Sequence, residues 1–243
     1  MPEFAHDGAV IHYTDTGVPV GRPDAPTVFF GHGLLFSGWL FYPQIDALRA
    51  DYRCMAIDWR GQGSSSSADR GYDMDTLADD AIALINSLEV APVHYVGLSM
   101  GGMIGQRIAA RRPELVRSLT LLDTSAGPED PAKVSKYKLL GRIYRITGLG
   151  PLRSAVLPLM FGPKFLADQT NKPVLGEWQR QLKRSPRAGI SRAVMGVASR
   201  QAVETEIGRI TAPTLGWPVP TMPRFRRPRR SASPTSSRAR GSN

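Results

Sequence analysis

The feature that most constrains the fold is the alternation of short apolar runs with stretches in which apolar residues recur at helical spacing. This alternation is typical of a largely parallel sheet that is covered by helices on both faces. We therefore predict an α/β fold with a mostly parallel sheet flanked by helices. The predicted strands are an opening hairpin over residues 4–13 and buried runs at residues 27–30, 52–57, 93–96 and 116–122.

The strand pattern stops near residue 127, and the segment up to residue 206 is predicted to be helical with Gly and Pro interruptions. We expect this segment to be a helical cap inserted between two strands of the core. The predicted organisation is an α/β core over residues 1–126, the cap over 127–206, the start of a returning core strand over 207–215, and a tail over 216–243.

The net charge of +10 is concentrated at the C-terminus. Residues 216–243 contain seven arginines and no acidic residue, whereas the rest of the chain carries 24 basic and 21 acidic residues, a net charge of +3. A tail rich in Arg, Pro and Ser is predicted to be disordered. It is interpreted as a solvated tail, as a polybasic arm for phosphates or an anionic membrane, or as the product of a shifted reading frame. We expect neither a nucleic-acid partner nor a membrane partner.

Other classes of protein are disfavoured by composition. No apolar run approaches the eighteen residues of a membrane-spanning helix, and the N-terminus lacks the pattern of a secretory signal. Cys54 is the only cysteine, so an intrachain disulfide and a zinc site built on several thiolates are excluded. These observations predict a cytoplasmic protein, and they leave its oligomeric state open.

Residues 97–101 (GLSMG) follow a predicted strand and precede a predicted helix, which is the context of a nucleophile elbow. In such a tight turn the serine has strained backbone angles, so the positions two before and two after it must be small. The hydroxyl group of Ser99 would then project above the sheet. The pattern therefore indicates Ser99 as a candidate nucleophile.

A second glycine-rich turn, residues 31–34 (GHGL), follows another predicted strand. Because ligands gather at the carboxyl ends of parallel strands, this turn can present a backbone N–H to a developing oxyanion. We predict that the amides of Leu34 and Met100 form the oxyanion hole. His32 is expected to brace the turn rather than act as a base. His94 is expected to lie in the core or on the sheet, and His6 and His12 in the hairpin.

Residues 58–64 (DWRGQGS) follow the next strand. Their interpretation is a polar turn with an internal Asp–Arg pair, which orders the neighbourhood of the site without taking part in chemistry.

With these segments in this order, together with residues 119–124 (LTLLDT), the chain resembles the α/β-hydrolase superfamily over residues 1 to about 215. It looks most like the 3-oxoadipate enol-lactonase and small-carboxylesterase branch. The resemblance implies a serine hydrolase in which Ser99 forms an acyl-enzyme with a small ester or lactone, assisted by a histidine base and an acid. Neither the residues nor the resemblance implies a cofactor or a metal.

The chain departs from the family pattern after the cap. The family places an acid beyond the strand that begins here at residues 212–215 and a histidine after one further strand, but no histidine follows Ser99 in this sequence. Asp123 is a possible alternative acid. We expect the final strands and helix to be missing, as a frameshift near codon 216 would cause, and catalysis to be impaired. The alternatives are a catalytically dead binding protein and a basic-tail binder of nucleic acid or membrane surfaces.

Overall fold

The apolar runs form a single seven-stranded sheet in a computed structural model that describes residues 2–217. The strand order is β1-β2-β4-β3-β5-β6-β7. The β1–β2 and β2–β4 pairs are antiparallel and all other pairs are parallel. The strands are β1 Glu3–His6, β2 Ala9–Asp15, β3 Thr27–Gly31, β4 Arg53–Ile57, β5 Val93–Leu98, β6 Val116–Leu122 and β7 Thr214–Trp217.

Eight α-helices are found in the described part of the chain. The core helices are α1 Tyr42–Leu48, α2 Met74–Ser87 and α3 Met100–Arg111. The helices between β6 and β7 are α4 Pro131–Thr147, α5 Arg153–Met160, α6 Pro163–Ala167, α7 Lys172–Arg184 and α8 Arg187–Ala198. No helix within residues 2–217 is long and apolar enough to cross a bilayer.

Parallel strands in the middle of a sheet are buried on both faces, and β3 shows this because all five of its residues are buried. The chain leaves β3 towards β4 on one side and later returns to β5 on the other side. A crevice forms where the chain reverses its direction across the sheet, beyond the carboxyl ends of the strands. The fold therefore places the turns after β3 and β5 at a point where doubly wound sheets bind ligands.

Contacts between backbones join the helical segment to the core. Gly61 and Gly189 lie so close that a Cβ atom on either would overlap the backbone of the other, and a Cβ on Gly196 would overlap the carbonyl oxygen of Tyr72. The backbone N–H of Gly63 donates to Ser185 Oγ over 2.9 Å. The division into core and cap as folding units stays a prediction.

The prediction that the returning strand ends at Leu215 is wrong, because β7 continues to Trp217. A buried strand cannot continue through a Gly-Trp-Pro sequence. All four residues of β7 are exposed, and within residues 2–217 the strand pairs only with β6. An exposed edge strand tolerates such residues. The predicted tail thus begins with two strand residues, and its expected disorder from residue 218 onward lies outside the described residues.

Candidate active site

The elbow at Ser99 has the strained geometry that the sequence predicts. Ser99 lies between the last residue of β5 and the first residue of α3, with φ +49° and ψ −112°. A Cβ on Gly97 would lie 2.6 Å from the carbonyl carbon of Gly101, and a Cβ on Gly101 would overlap the carbonyl group of Gly31. The requirement for small residues on both sides of the serine is confirmed, because α3 approaches β3 through backbone contact.

Two hydrogen bonds fix the elbow to the end of β6. The Ser99 N–H donates to the carbonyl oxygen of Leu122 over 2.8 Å, and Thr124 Oγ1 donates to the Ser99 carbonyl oxygen over 2.8 Å. A non-glycine residue at positive φ costs about 1–3 kcal/mol, so the surrounding structure must hold it in place. The contacts to β6 provide part of this support.

The two amides predicted for an oxyanion hole lie beside Ser99. A Cβ on Gly33 would be 3.5 Å from the Cβ of Ser99, and Leu34 is the next residue in the chain. The Met100 N–H belongs to the first turn of α3, where backbone donors have no acceptor within the helix. Neither amide donates to another residue in the part of the chain that the structure describes. Both are therefore available to an oxygen atom of a ligand.

His32 braces the turn after β3, as predicted. Its side chain is fully buried, Nδ1–H donates to the Gly33 carbonyl oxygen over 2.7 Å, and Nε2 accepts from the Trp59 N–H over 3.1 Å. Burial lowers the pKa of His32. An Nε2 atom that accepts a hydrogen bond belongs to a neutral ring. Both ring nitrogens are occupied by backbone groups, which leaves none to serve as a base.

The polar turn after β4 orders its surroundings as expected, but its predicted internal Asp–Arg pair is wrong. Asp58 Oδ1 accepts from the Gly38 N–H over 2.7 Å, and Asp58 Oδ2 accepts from the Ser64 N–H over 2.8 Å. Arg60 turns away and forms a fully buried ion pair with Asp80 of α2. Asp58 accepts hydrogen bonds from two backbone N–H groups, whereas the buried guanidinium of Arg60 pairs with a carboxylate of α2.

Ser99 and Asp123 line the same pocket, which has a volume of about 330 Å³. Asp123 follows β6 and has φ +46°. Its Oδ1 is buried and has no hydrogen-bond partner among residues 2–217. Burial raises the pKa of this carboxyl group. The structure thus brings the candidate nucleophile and the candidate alternative acid to one cavity; their roles stay predictions.

The rest of the pocket is mainly apolar, with one charged end. Arg200 is nearly buried there, and its Nη1 lies 2.7 Å from Glu129 Oε2 while its Nε donates to the Gly127 carbonyl oxygen over 3.1 Å. Arg200 and Glu129 could not be predicted from the sequence, because they are 71 positions apart and belong to no local motif. The apolar lining includes Leu34, Phe36, Leu98, Met103, Leu140 and Val156.

None of the four histidines lines this pocket. His6 Nδ1 lies 2.8 Å from Asp80 Oδ1, His12 Nε2 lies 3.1 Å from Glu3 Oε1, and His94 Nδ1 is hydrogen-bonded to Ser118 Oγ. The positions expected for His6, His12 and His94 are confirmed. The site has a serine, two free amides and a carboxylate, but it has no imidazole.

Comparison with known proteins identifies relatives of this chain. A family model described as the alpha/beta hydrolase fold matches residues 26–206. A putative carbamate hydrolase RutD of Stutzerimonas stutzeri is 25% identical over 80% of this chain and 73% of its own length. The 3-oxoadipate enol-lactonase 2 of Acinetobacter baylyi is 26% identical over 80% of this chain and 71% of its own. The crystal structure of the enol-lactonase from Burkholderia xenovorans LB400 has a TM-score of 0.79 and 25% identity, covering 88% of this chain and 80% of that one.

Proposed function

The chain belongs to the α/β-hydrolase fold family, and on this premise we propose that it is a serine hydrolase that acts on a small ester or lactone through an acyl-enzyme at Ser99. The family and its hydrolase relatives support a hydrolytic function. The observation that carries the serine mechanism is the elbow: Ser99 is held at φ +49° at the wall of a pocket, beside two amides without acceptors.

In the proposed reaction, Ser99 Oγ attacks the carbonyl carbon of the substrate and its proton passes to solvent water, because no imidazole among the described residues lines the pocket. The carbonyl π electrons move to the oxygen, which accepts hydrogen bonds from the N–H groups of Leu34 and Met100. When the intermediate collapses, the bond to the leaving alcohol breaks and the alcohol oxygen takes up a proton from solvent water. A second water molecule then attacks the acyl-enzyme and gives up one proton to solvent; the bond to Ser99 Oγ breaks, Oγ takes up a proton, and the acid is released. Removal of one oxyanion donor typically slows such reactions by about 10²–10³-fold.

Proton transfer is the weak step of this site. A positioned general base contributes about 10²–10⁴-fold, and this chain has no histidine after Ser99. Of the two carboxylates that line the described pocket, Glu129 pairs with Arg200, whereas Asp123 Oδ1 has no hydrogen-bond partner among residues 2–217. We therefore propose slow acylation without a general base, with Asp123 as the alternative acid of the site, and turnover that is impaired relative to enzymes with a complete triad.

The pocket favours a small substrate with a mainly apolar body. Its volume of about 330 Å³ lies at the lower end of the range for ligand sites. Aliphatic and aromatic side chains form most of its wall, and Ser99 lies at that wall. An ester or lactone of a short acid fits these dimensions. The relatives named as a carbamate hydrolase and an enol-lactonase support an acyl substrate.

A fluorophosphonate probe tests the proposal directly, because it forms a covalent bond only with an activated serine. We expect the full chain to be labelled at Ser99 and the Ser99→Ala variant to be unlabelled. Free imidazole should raise Ser99-dependent hydrolysis of p-nitrophenyl acetate, since it supplies the base that the pocket lacks. Circular dichroism establishes that both proteins are folded. A folded wild-type chain that is not labelled would contradict the proposal.

The second candidate is a binding protein that has kept the hydrolase fold without its chemistry. It is favoured by the histidines, none of which lines the pocket and each of which contacts another partner. It predicts that Ser99→Ala leaves ligand affinity unchanged and that imidazole has no effect. The third candidate, a nucleic-acid or membrane-surface binder acting through the arginine tail, predicts steep salt dependence that disappears when the arginines of residues 216–243 are replaced.

A further inference from the structure

Charge is divided unevenly between the core and the helical segment. All six lysines of the chain lie within residues 131–200, which contain 14 basic and 2 acidic residues, a net charge of +12. Residues 1–130 contain 9 basic and 17 acidic residues, a net charge of −8. The net charge of the chain outside the tail is therefore small, although residues 131–200 are strongly basic.

Helix α4 carries the densest part of this charge. Its five basic residues form no ion pair with any residue among 2–217, whereas buried or half-buried arginines of the core such as Arg53, Arg60 and Arg107 do. Cationic side chains on one helix repel one another when they have no ion-pair partner, unless anions bind to them. The five residues are Lys133, which lines the pocket, and Lys136, Lys138, Arg142 and Arg145.

Two large aliphatic side chains lie in the middle of this basic surface. Leu139 is 57% exposed and Ile146 is 77% exposed. They are seven residues apart, so they lie on one line along the helix. At 100° per residue, Lys136 flanks this line on one side, and Lys138, Arg142 and Arg145 flank it on the other. The outer face of α4 is thus an aliphatic line with cationic borders.

The inner face of the same helix belongs to the pocket. Leu140 and Tyr144 line the cavity that contains Ser99. Leu159 of α5 lines it as well and is also exposed to solvent, so it marks the mouth of the pocket. Whatever covers the outer face of α4 is therefore separated from the pocket by one helix.

We propose that the outer face of α4 docks on an anionic phospholipid surface. Helices that lie in a bilayer interface combine an apolar line, which enters the acyl boundary, with Lys and Arg that bind anionic headgroups. A nucleic acid would use the cations and leave Leu139 and Ile146 in water. The proposal replaces the expectation of no membrane partner, which was based on the summed charge of the body. It is independent of the chemistry at Ser99.

Cosedimentation of the full chain with vesicles tests the proposal. We expect binding to phosphatidylcholine vesicles that contain phosphatidylglycerol and little binding to phosphatidylcholine alone. The double variant Leu139→Ser/Ile146→Ser should bind roughly tenfold more weakly, because two aliphatic side chains no longer enter the interface. Lys136→Gln and Arg142→Gln should each reduce binding roughly fivefold. The matched control is Val18→Ser/Val20→Ser, which replaces two exposed aliphatic side chains outside α4 and should leave vesicle binding unchanged.

The arginine tail provides the decisive comparison, because it could bind anionic vesicles by itself. A variant in which the tail arginines are replaced by Gln should retain vesicle binding that depends on Leu139 and Ile146. The proposal is overturned if the tail variant does not bind, or if the Leu139→Ser/Ile146→Ser variant binds like the wild type. Binding to poly(U) RNA without binding to anionic vesicles would overturn it in favour of a nucleic-acid partner. Unfolding curves of every variant exclude loss of structure as the cause.

Discussion

Gly101→Ala tests whether backbone contact between α3 and β3 determines the position of Ser99. The new Cβ would overlap the carbonyl group of Gly31 and lie 2.9 Å from the carbonyl oxygen of His32. Both obstacles are backbone atoms of a buried strand and its turn, so no side chain can rotate away. Helix α3 would have to move outward, and Ser99 would move with it because it caps that helix.

Two opposing effects determine the magnitude. Replacing Gly by Ala inside a helix stabilises the folded state by about 1 kcal/mol. Overpacking in a close-packed interior typically costs about 1–3 kcal/mol. We therefore expect Gly101→Ala to lower the free energy of unfolding by up to about 2 kcal/mol. The rate of fluorophosphonate labelling at Ser99 should fall as well, since the hydroxyl group and the Met100 amide are displaced together.

Gly176→Ala is the matched control, because Gly176 lies inside α7 and a Cβ there would meet only the end of the Arg180 side chain at 3.6 Å. This variant should be stabilised by up to about 1 kcal/mol and should be labelled like the wild type. Urea unfolding provides the free energies. Equal stability of the two variants, with unchanged labelling in both, would refute the steric explanation of the elbow.

Three further changes test other parts of the structure. Trp178→Ala should cost about 3–5 kcal/mol in urea unfolding, because it empties a fully buried site and removes the donor to the Leu35 carbonyl oxygen, whereas Trp178→Phe should cost less. Burial raises the pKa of Asp123 in the folded state, so its ionised form destabilises the fold at neutral pH. Asp123→Asn should therefore raise Tm at neutral pH but not below the unfolded pKa of about 3.9. An equal change in Tm at neutral pH and at pH values below about 3.9 would contradict this. The pKa of His32 is lowered by burial, so stability should fall as pH drops below its unfolded pKa of about 6.5, and His32→Asn should reduce this slope in pH-dependent unfolding.

The sheet and the elbow could be predicted because their determinants are local. The run before Ser99, the glycines around it and the helical spacing after it lie within about fifteen residues. Helix α2 shows where local information ends. Asp73 and Asp75 are both of a residue type that caps helices, and it is Asp73 that accepts from the Thr76 N–H over 2.9 Å. Asp75 instead pairs with Arg107 and Arg111 of α3.

Pairings between distant parts of the chain could not be predicted. Arg60 has a neighbouring aspartate two positions away, yet its partner is Asp80, which α2 brings from twenty positions further along. Arg200 and Glu129 meet at the pocket only because the helical segment returns to the end of β6. The basic character of α4 could not be predicted from the net charge, because the acidic residues of 1–130 offset the basic residues of 131–200.

The contact of Gly61 with Gly189 has a consequence for how a ligand enters the pocket. A lid that swings open as one piece requires a joint whose two surfaces can slide or part at little cost. Here two main chains touch without side chains between them, and Gly196 lies against the Tyr72 main chain in the same way. Parting these surfaces would expose the backbone groups of both segments together. Ligand entry is therefore expected through local displacement of the helices farthest from this joint, with α8 remaining as the fixed wall of the cavity.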